Sequence, residues 1–420
     1  MRHVCPIVIA ILVASASSLA QIAGSSEPET IRLLVQQVNE LRGKVDALEA
    51  KQASQTSANP DLPAPDQPLE ESASTTALPN ELSHEVRGIQ WRGFGEFNYK
   101  VLDQRTPELG TFGSLPGSAG NFYSGDFDLF LTSRISDKAS VLSEIVFGQG
   151  AAQSFDVDLE RVLLKYDYND HLKMSFGRYH TGIGYYNTAF HSGKWLHTTA
   201  DRPLIMEFAS DGGLLPTQAI GVSVTGLIPS GKLGLNYLFE YGSSDTIRPD
   251  INGSGNLDDE NNGNHVNLVV FAHPDAIPGL QVGASVYHDK ISVFELGPSV
   301  RAGQTIVNGH VVYVGHGIEF LSEGFLVRHA LENSSTRLNT PAFYTQFSKR
   351  IGHLRPFFRY QYINASQRSL FEDVGLRYGP SFGARYDFSD NVAFKVQLDH
   401  TVRQNQPDLN GLQTQLAFTF

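Results

Sequence analysis

The last nine residues, Leu412-Gln413-Thr414-Gln415-Leu416-Ala417-Phe418-Thr419-Phe420, alternate a mostly apolar set at the even positions with a mostly polar set at the odd ones. Successive side chains of an extended chain point to opposite faces, so this stretch reads as a strand with one apolar and one polar face. Roughly ten residues in such a strand suffice to cross a bilayer at a tilt.

The same alternation extends upstream. Val392, Phe394, Val396 and Leu398 interleave with Lys395, Gln397, Asp399 and Thr401, behind the turn Ser389-Asp390-Asn391. Pro380, Phe382, Ala384, Tyr386 and Phe388 oppose Ser381, Gly383, Arg385 and Asp387, and Leu354, Phe358, Tyr360 and Tyr362 oppose Arg355, Arg359 and Gln361. Further back, Ile89, Trp91, Phe97 and Tyr99 stand against Gln90, Arg92, Glu96, Asn98 and Lys100. Phe127, Leu129 and Leu131 stand against Asp126, Asp128, Thr132 and Arg134, and Leu233, Leu235, Tyr237 and Phe239 against Asn236 and Glu240. The repeat runs over 87–420 and counts to about sixteen segments, an even number as bacterial barrels require, with an irregular stretch between Thr305 and His329.

Composition limits the alternatives. Hydrophobic residues make up 41% of the 420, and beyond the first twenty or so no run approaches the roughly 18 apolar positions of a spanning helix. That excludes a helical inner-membrane transporter. Phe (26), Tyr (16) and Gly (39) are abundant and Met (3) is rare, which favours strands and turns. The single cysteine, Cys5, excludes a disulfide framework. A net charge of −12 with no basic stripe argues against nucleic acid as a partner.

Ahead of the repeat the texture changes three times. Residues 1–20 combine a basic start at Arg2, an apolar run from Val4 to Val13 and the small-residue tail Ser18-Leu19-Ala20, the pattern of a signal peptide. Within 29–52, Ile31, Leu34, Val38, Leu41, Val45 and Leu48 recur at spacings of three and four, a short coiled-coil helix. About three heptads are marginal for a zipper, so an amphipathic helix lying on another surface remains an alternative. Residues 53–86 are rich in Pro, Ser, Ala and acidic side chains and read as a linker.

A soluble β-sandwich alternates as well, so periodicity alone does not decide. Three features favour a transmembrane, antiparallel up-and-down β-barrel. Aromatics cluster near strand ends (Trp91, Tyr99, Tyr123, Tyr360, Tyr362, Tyr386, Phe388), as interfacial girdles do. Short turns such as Ser136-Asp137-Lys138 and Pro229-Ser230-Gly231 alternate with long polar loops. The terminal Phe420 after alternating apolar residues looks like the signal that outer-membrane assembly machinery reads. A barrel of this width is not filled by its own side chains, so its lumen is a conduit for hydrophilic solutes.

The run Leu159-Glu160-Arg161-Val162-Leu163-Leu164-Lys165-Tyr166, then His171-Leu172-Lys173-Met174-Ser175-Phe176-Gly177-Arg178 and Thr181-Gly182-Ile183-Gly184, is similar to the phosphate-selective porin superfamily of Gram-negative outer membranes. The segment Glu319-Phe320-Leu321-Ser322-Glu323-Gly324 after His310-Val311-Val312-Tyr313-Val314 resembles it too. The resemblance implies a trimeric sixteen-stranded pore in outer-membrane lipid whose constriction is set by an inward loop, here 180–218. Selective members carry a lysine-rich constriction, whereas this loop has Lys194 alone. β-branched residues at the first heptad position with Leu at the fourth favour two strands rather than three, and that conflict stands open.

Arg92, Arg134, Lys165, Arg178, Arg355, Arg359, Arg385 and Arg403, with His180, Lys194 and Arg202 at the loop, are candidates for a basic pore lining that guides anions. Glu96, Asp126, Asp128, Glu240, Asp387 and Asp399 oppose them, so a mixed-charge lumen without strong selectivity is the competing reading. Asp250 to Asn261 approach a calcium loop but place Asn261 where a bidentate Glu belongs, and no metal site or cofactor is expected. No nucleophile, base and orienting group assemble, so no enzyme is expected. The expected function is passive diffusion of small hydrophilic solutes or anions, with a tether to peptidoglycan or a periplasmic partner through the coiled coil as the alternative.

Overall fold

The computed structural model describes residues 88–420 except 104–119, 150–154, 191–192, 208–212, 245–262, 294–299 and 366–373. The expected signal peptide, coiled coil, linker and calcium-like stretch lie outside the described residues.

Sixteen strands follow in order: β1 (Ile89–Leu102), β2 (Asn121–Arg134), β3 (Ala139–Gln149), β4 (Phe155–Asn169), β5 (Leu172–His180), β6 (Gln218–Leu227), β7 (Leu235–Ser244) and β8 (His265–Ala272). The second half comprises β9 (Leu280–Val293), β10 (Val300–Gly315), β11 (Ile318–Leu331), β12 (Arg337–Lys349), β13 (Leu354–Ala365), β14 (Gly375–Ser389), β15 (Val392–Arg403) and β16 (Leu409–Thr419). Each pairs antiparallel with its sequence neighbours, and β1 closes on β16 with Phe97 opposite Leu416 and Asn98 opposite Gln415. Closure leaves no strand edge unpaired. One rim carries the short connections, such as 135–138, 170–171, 316–317 and 390–391; the other carries the long ones, including 103–120, 181–217 and 245–264.

Residues paired across strands share a face, so register fixes the inside and the outside. Leu416, Phe382 and Phe358 lie exposed on the outer wall, while Gln413, Gln415, Lys395 and Arg359 are buried on the inner one. Outside, aromatic contacts mark both rims: Trp91 with Phe420 (5.7 Å) at the short-turn end, Tyr99 with Phe122 (4.8 Å) at the long-loop end. Tyr123 departs from the expected girdle, because it pairs with the inward Asn98. Leu233 also departs from expectation: it belongs to a short 3-10 turn, Gly231–Leu233, and the strand begins at Leu235.

The stretch that looked irregular, Thr305 to His329, forms two of the longest strands, β10 and β11. Its hydropathy pattern is blurred because the inner face mixes apolar residues with polar ones. Val307, Val311 and Leu326 face outward, while Ile306, Val312, Leu321 and Val327 are buried inward. Something apolar must therefore cover the inner wall here.

Candidate functional site

The cover is the connection between β5 and β6, residues 181–217, the third long connection in chain order. It contains a one-turn helix, α1 (Tyr185–Ala189), and 3-10 turns at Lys194–Leu196 and Leu204–Met206. Ile183, Tyr185, Tyr186, Phe190, Ile205, Met206, Leu214 and Leu215 form one buried cluster with Tyr287, Ile306, Leu321, Phe325, Val327, Tyr344 and Ile363 of the inner wall. The loop thus folds into the barrel against β9–β13, and apolar burial against that wall drives the placement.

Wall acceptors take the loop's backbone N–H groups, which would otherwise be buried without partners. Glu323 accepts from the N–H of Tyr185 (2.7 Å) and of Tyr186 (2.9 Å), and from the Tyr344 hydroxyl (2.6 Å). Glu240 accepts from Gly182 N–H (3.0 and 3.1 Å), Asp128 from Gly193 N–H (2.6 Å), Gln397 from Ala200 N–H (3.0 Å) and Gln361 from Leu204 N–H (3.0 Å). Gly184 and Gly193 have φ of 81° and 60°, and a side chain at either would strike Glu323 or Phe94. Glycine is needed at both points where the loop approaches the wall.

Wall cations take the loop's carbonyls. Arg359 donates to Asp201 O (3.0 Å) and Thr199 Oγ1 (3.2 Å) and forms an ion pair with the Asp201 carboxylate. Arg385 donates to Trp195 O (2.6 Å) and His197 O (2.9 Å), and Lys395 to Thr199 O (3.0 Å) and Gln415 Oε1 (2.8 Å). Arg355 reaches Thr198 Oγ1 (3.5 Å) and lies 3.8 Å from Glu319. Burial by itself pushes the Asp201 carboxyl up, but the Arg359 guanidinium outweighs it and holds the group below the usual carboxylate range.

His197, wholly buried in the loop, has its tautomer fixed by its partners. Nε2 faces Phe190 O (2.5 Å), which can only accept, so Nε2 carries the hydrogen and Nδ1 accepts from the Tyr186 hydroxyl (3.1 Å). Burial first, then the positive charges of Lys194, Lys395 and Arg202, hold the imidazole neutral well below its ordinary range.

The remaining expected lining residues are dispersed. Arg92 lies near the short-turn rim, bonded to Thr419 Oγ1 (3.2 Å), with its guanidinium over Phe94 (5.1 Å) and Trp195 (5.7 Å). Arg134 sits exposed at a turn beside Asp137 (3.6 Å) rather than deep in the lumen, and Lys165 lies between Ser140 and Ser175 in β3 and β5. Arg178 registers with the outward Val162 and Ile220, yet its guanidinium lies 3.6 Å from Asp158. His180 is 3.8 Å from both Glu144 and Glu160. Lys194 lends its backbone carbonyl to Lys395. Arg202 is buried inside the loop, its guanidinium 5.3 Å from the Tyr186 ring centre and bonded to Phe190 O (3.4 Å). Arg403 bonds Pro407 O (3.1 Å) at the long-loop rim.

The inner faces of β1–β4 have another character. Glu96 accepts from Asp126 N–H (3.0 Å), Glu144 pairs with Arg161, Asp128 and Asp158 stand in register on β2 and β4, and Glu160, at the bulge between β3 and β4, lies 3.8 Å from His180. Sequence reasoning missed Lys395, Glu323, Glu319, Asp201, Gln361 and Gln397 as residues that hold the loop. The available signal was Glu323 itself, an inward carboxylate between Leu321 and Phe325, which has to meet donors.

No protein-family model matches the chain, and no curated protein does. Solved structures share the barrel. The outer-membrane protein OmpT of Vibrio cholerae, in its trimer form, superposes with a TM-score of 0.54 at 12% identity, over 79% of this chain and 99% of that one. An anion-selective porin from Comamonas acidovorans gives 0.52 at 12% identity, over 79% and 99%. The outer-membrane channel DcaP of Acinetobacter baumannii gives 0.52 at 9% identity, over 79% and 97%. At such identities the likeness is one of fold: a closed, sixteen-stranded antiparallel porin barrel.

Proposed function

We propose that the protein is a Gram-negative outer-membrane porin through which small hydrophilic solutes diffuse passively. The observation that carries this reading is the division of faces: every strand turns an apolar side outward and the closed barrel holds a polar interior with one long connection folded into it. Lipid satisfies the first face and water the second. The barrels with which it shares its fold include outer-membrane proteins, one of them described as a trimer, and a homotrimer is part of the proposal.

In this reading the solute passes beside the inward loop on the side of β1–β4, which the loop touches at Gly193 and Trp195, because β9–β15 are covered by its apolar cluster and its bonds to Arg385, Lys395 and Gln397. Selectivity follows from which charges face that passage. Arg355, Arg359, Arg385 and Lys395 are engaged by the loop, whereas the other wall presents Glu96, Asp126 and Glu160 beside the inward Arg92, Lys100 and Lys165, with Glu144 paired to Arg161. The passage then carries mixed charge, the competing reading of the sequence, with a weak lean toward cations because the basic residues of β13–β15 are bonded to the loop. Planar-bilayer recording of the purified protein tests both levels. Single-channel steps are expected, with a reversal potential under a KCl gradient displaced toward potassium. Glu96→Gln combined with Asp126→Asn should move that potential toward chloride. Absence of steps removes the porin reading, and an anionic potential in the unaltered protein removes the selectivity.

A further inference from the structure

Four outward-facing cations gather on four consecutive strands, at the long-loop end of the wall that the interior loop braces. Lys290 of β9, Arg301 of β10, Arg328 of β11 and Arg337 of β12 are all exposed. Register places them on one lattice: Lys290 pairs with Gly303, Gly303 with Ala330, and Ala330 with Arg337, so two small residues form a floor between two cations. Arg301 stands two residues beyond Gly303 toward the rim, and Arg328 two residues below Ala330. A Cβ added at Gly303 would meet only His288 at 3.7 Å and the Ala330 carbonyl at 4.0 Å, so the floor is open to the outside.

The row below the patch is apolar: Val286, Val307, Leu326 and Pro341 pair in sequence across the same strands. The next outward row toward the long-loop rim is His288, Thr305, Arg328 and Asn339, all polar. The cations therefore begin where the apolar rows of this wall give way to polar ones, on the long-loop side. Charged side chains facing lipid are costly, and long ones turn toward the interface. Turning toward the interface does not explain why they cluster. The carboxylates of these strands, Asp289, Glu319 and Glu323, are buried on the inner face, and among the described residues neither Arg301 nor Arg328 has an ion pair. Arg337 donates to the turn carbonyls of Ser334 (3.2 Å) and Thr336 (3.1 Å), and the exposed Glu332 lies in that turn. Among the described strands, the other outward Lys or Arg are Lys349 at the opposite rim, bonded to His316 O (2.7 Å), and Arg178, turned to Asp158.

We infer that this patch is a docking site for the phosphate groups of an anionic lipid headgroup in the surrounding outer leaflet. The inference rests on the membrane placement proposed above. Guanidinium groups bind phosphate oxygens bidentately, and two arginines over an open floor with a further cation on each side suit a headgroup bearing more than one phosphate. The site is on the lipid side of the barrel and is separate from the passage.

The test uses the full folded chain in detergent, equilibrated with diphosphorylated lipid A, with the same lipid dephosphorylated, or with phosphatidylcholine. Bound lipid is counted by native mass spectrometry, and conductance is recorded in parallel. Retention of the diphosphorylated lipid alone is expected, falling about tenfold or more in Arg301→Gln with Arg328→Gln, with Lys349→Gln unaffected. Heat-resistant migration and unchanged conductance in the double variant establish that it is folded. Equal retention by that variant, or of the dephosphorylated lipid, overturns the inference, and so does displacement of the lipid by excess inorganic phosphate, which marks a site for free anions. Loss of conductance steps in the unaltered protein strikes the porin reading instead and leaves the lipid count to stand by itself.

Discussion

The inner faces of β9–β13 and of β1–β4 arise from the same two-residue alternation, but only the first carries the large apolar cluster that packs against the loop. On β9–β13 the inward residues include the apolar cluster of Ile306, Leu321, Val327, Tyr344 and Ile363, set among buried polar groups such as Glu319, Glu323, Arg359 and Gln361 that bond the loop or one another. On β1–β4 they are Glu96, Asp126, Asp128 and Glu144, with Arg161. The difference lies in what each wall faces. The first meets the apolar side of the 181–217 loop, whereas the second touches the loop at Asp128 with Gly193 and at Phe94 with Trp195 and sets its charged groups against one another. Barrel symmetry is broken by one connection, and the wall beneath it mixes buried apolar side chains with polar ones that bond the loop.

Removing the strongest contact between loop and wall should break that contrast most visibly. Arg359→Ala leaves the partly exposed Asp201 carboxylate with Gln397 as its remaining side-chain hydrogen-bond partner, at a cost of about 2–3 kcal/mol. Urea unfolding should report the loss, and bilayer recordings should show larger, noisier steps as the loop leaves the wall. Unchanged conductance would mean that the loop holds without this pair. Asp201→Asn in the same chain should restore part of the stability.

A smaller effect separates the inner from the outer apolar face. Leu321→Ala, beneath the loop, forfeits transfer energy and leaves a cavity, about 3–4 kcal/mol. Leu416→Ala, on the outer wall, loses about 2 kcal/mol, the transfer energy alone, since lipid chains fill the space. Equal losses by urea titration would show that the loop does not pack as tightly as lipid does.

The smallest effect concerns pH. His197 has its folded value pushed below the ordinary one, so the released loop binds the proton more readily than the docked one. Docking is therefore fully favourable above about pH 6.5 and weakens as pH falls below it. Conductance noise should rise on acidification, and His197→Gln should abolish that response. A response that survives the substitution assigns it to another group.

Much of the barrel was legible in the sequence. Gln413, Gln415, Lys395 and Arg359 lie inward and Leu416, Phe382 and Phe358 outward, as period two requires, because lipid and water are such different surroundings that each side chain's polarity reveals its direction. The loop was legible in extent, 180–218 against 181–217, but not in its contacts. Arg359, Arg385 and Lys395 bond a connection roughly 150 to 200 residues away in the chain, and nothing local in their sequence distinguishes a cation facing water from one facing a carbonyl.

Taken alone, the amino-acid sequence determined strand count, face assignment and the position of the long connection, since each follows from short-range alternation against two solvents. The tertiary structure alone decided which wall the loop covers, which charges remain for a passing solute, and where outward cations meet on adjacent strands. Those outcomes depend on the register among strands far apart in the chain and on burial between them, and a one-dimensional pattern encodes neither.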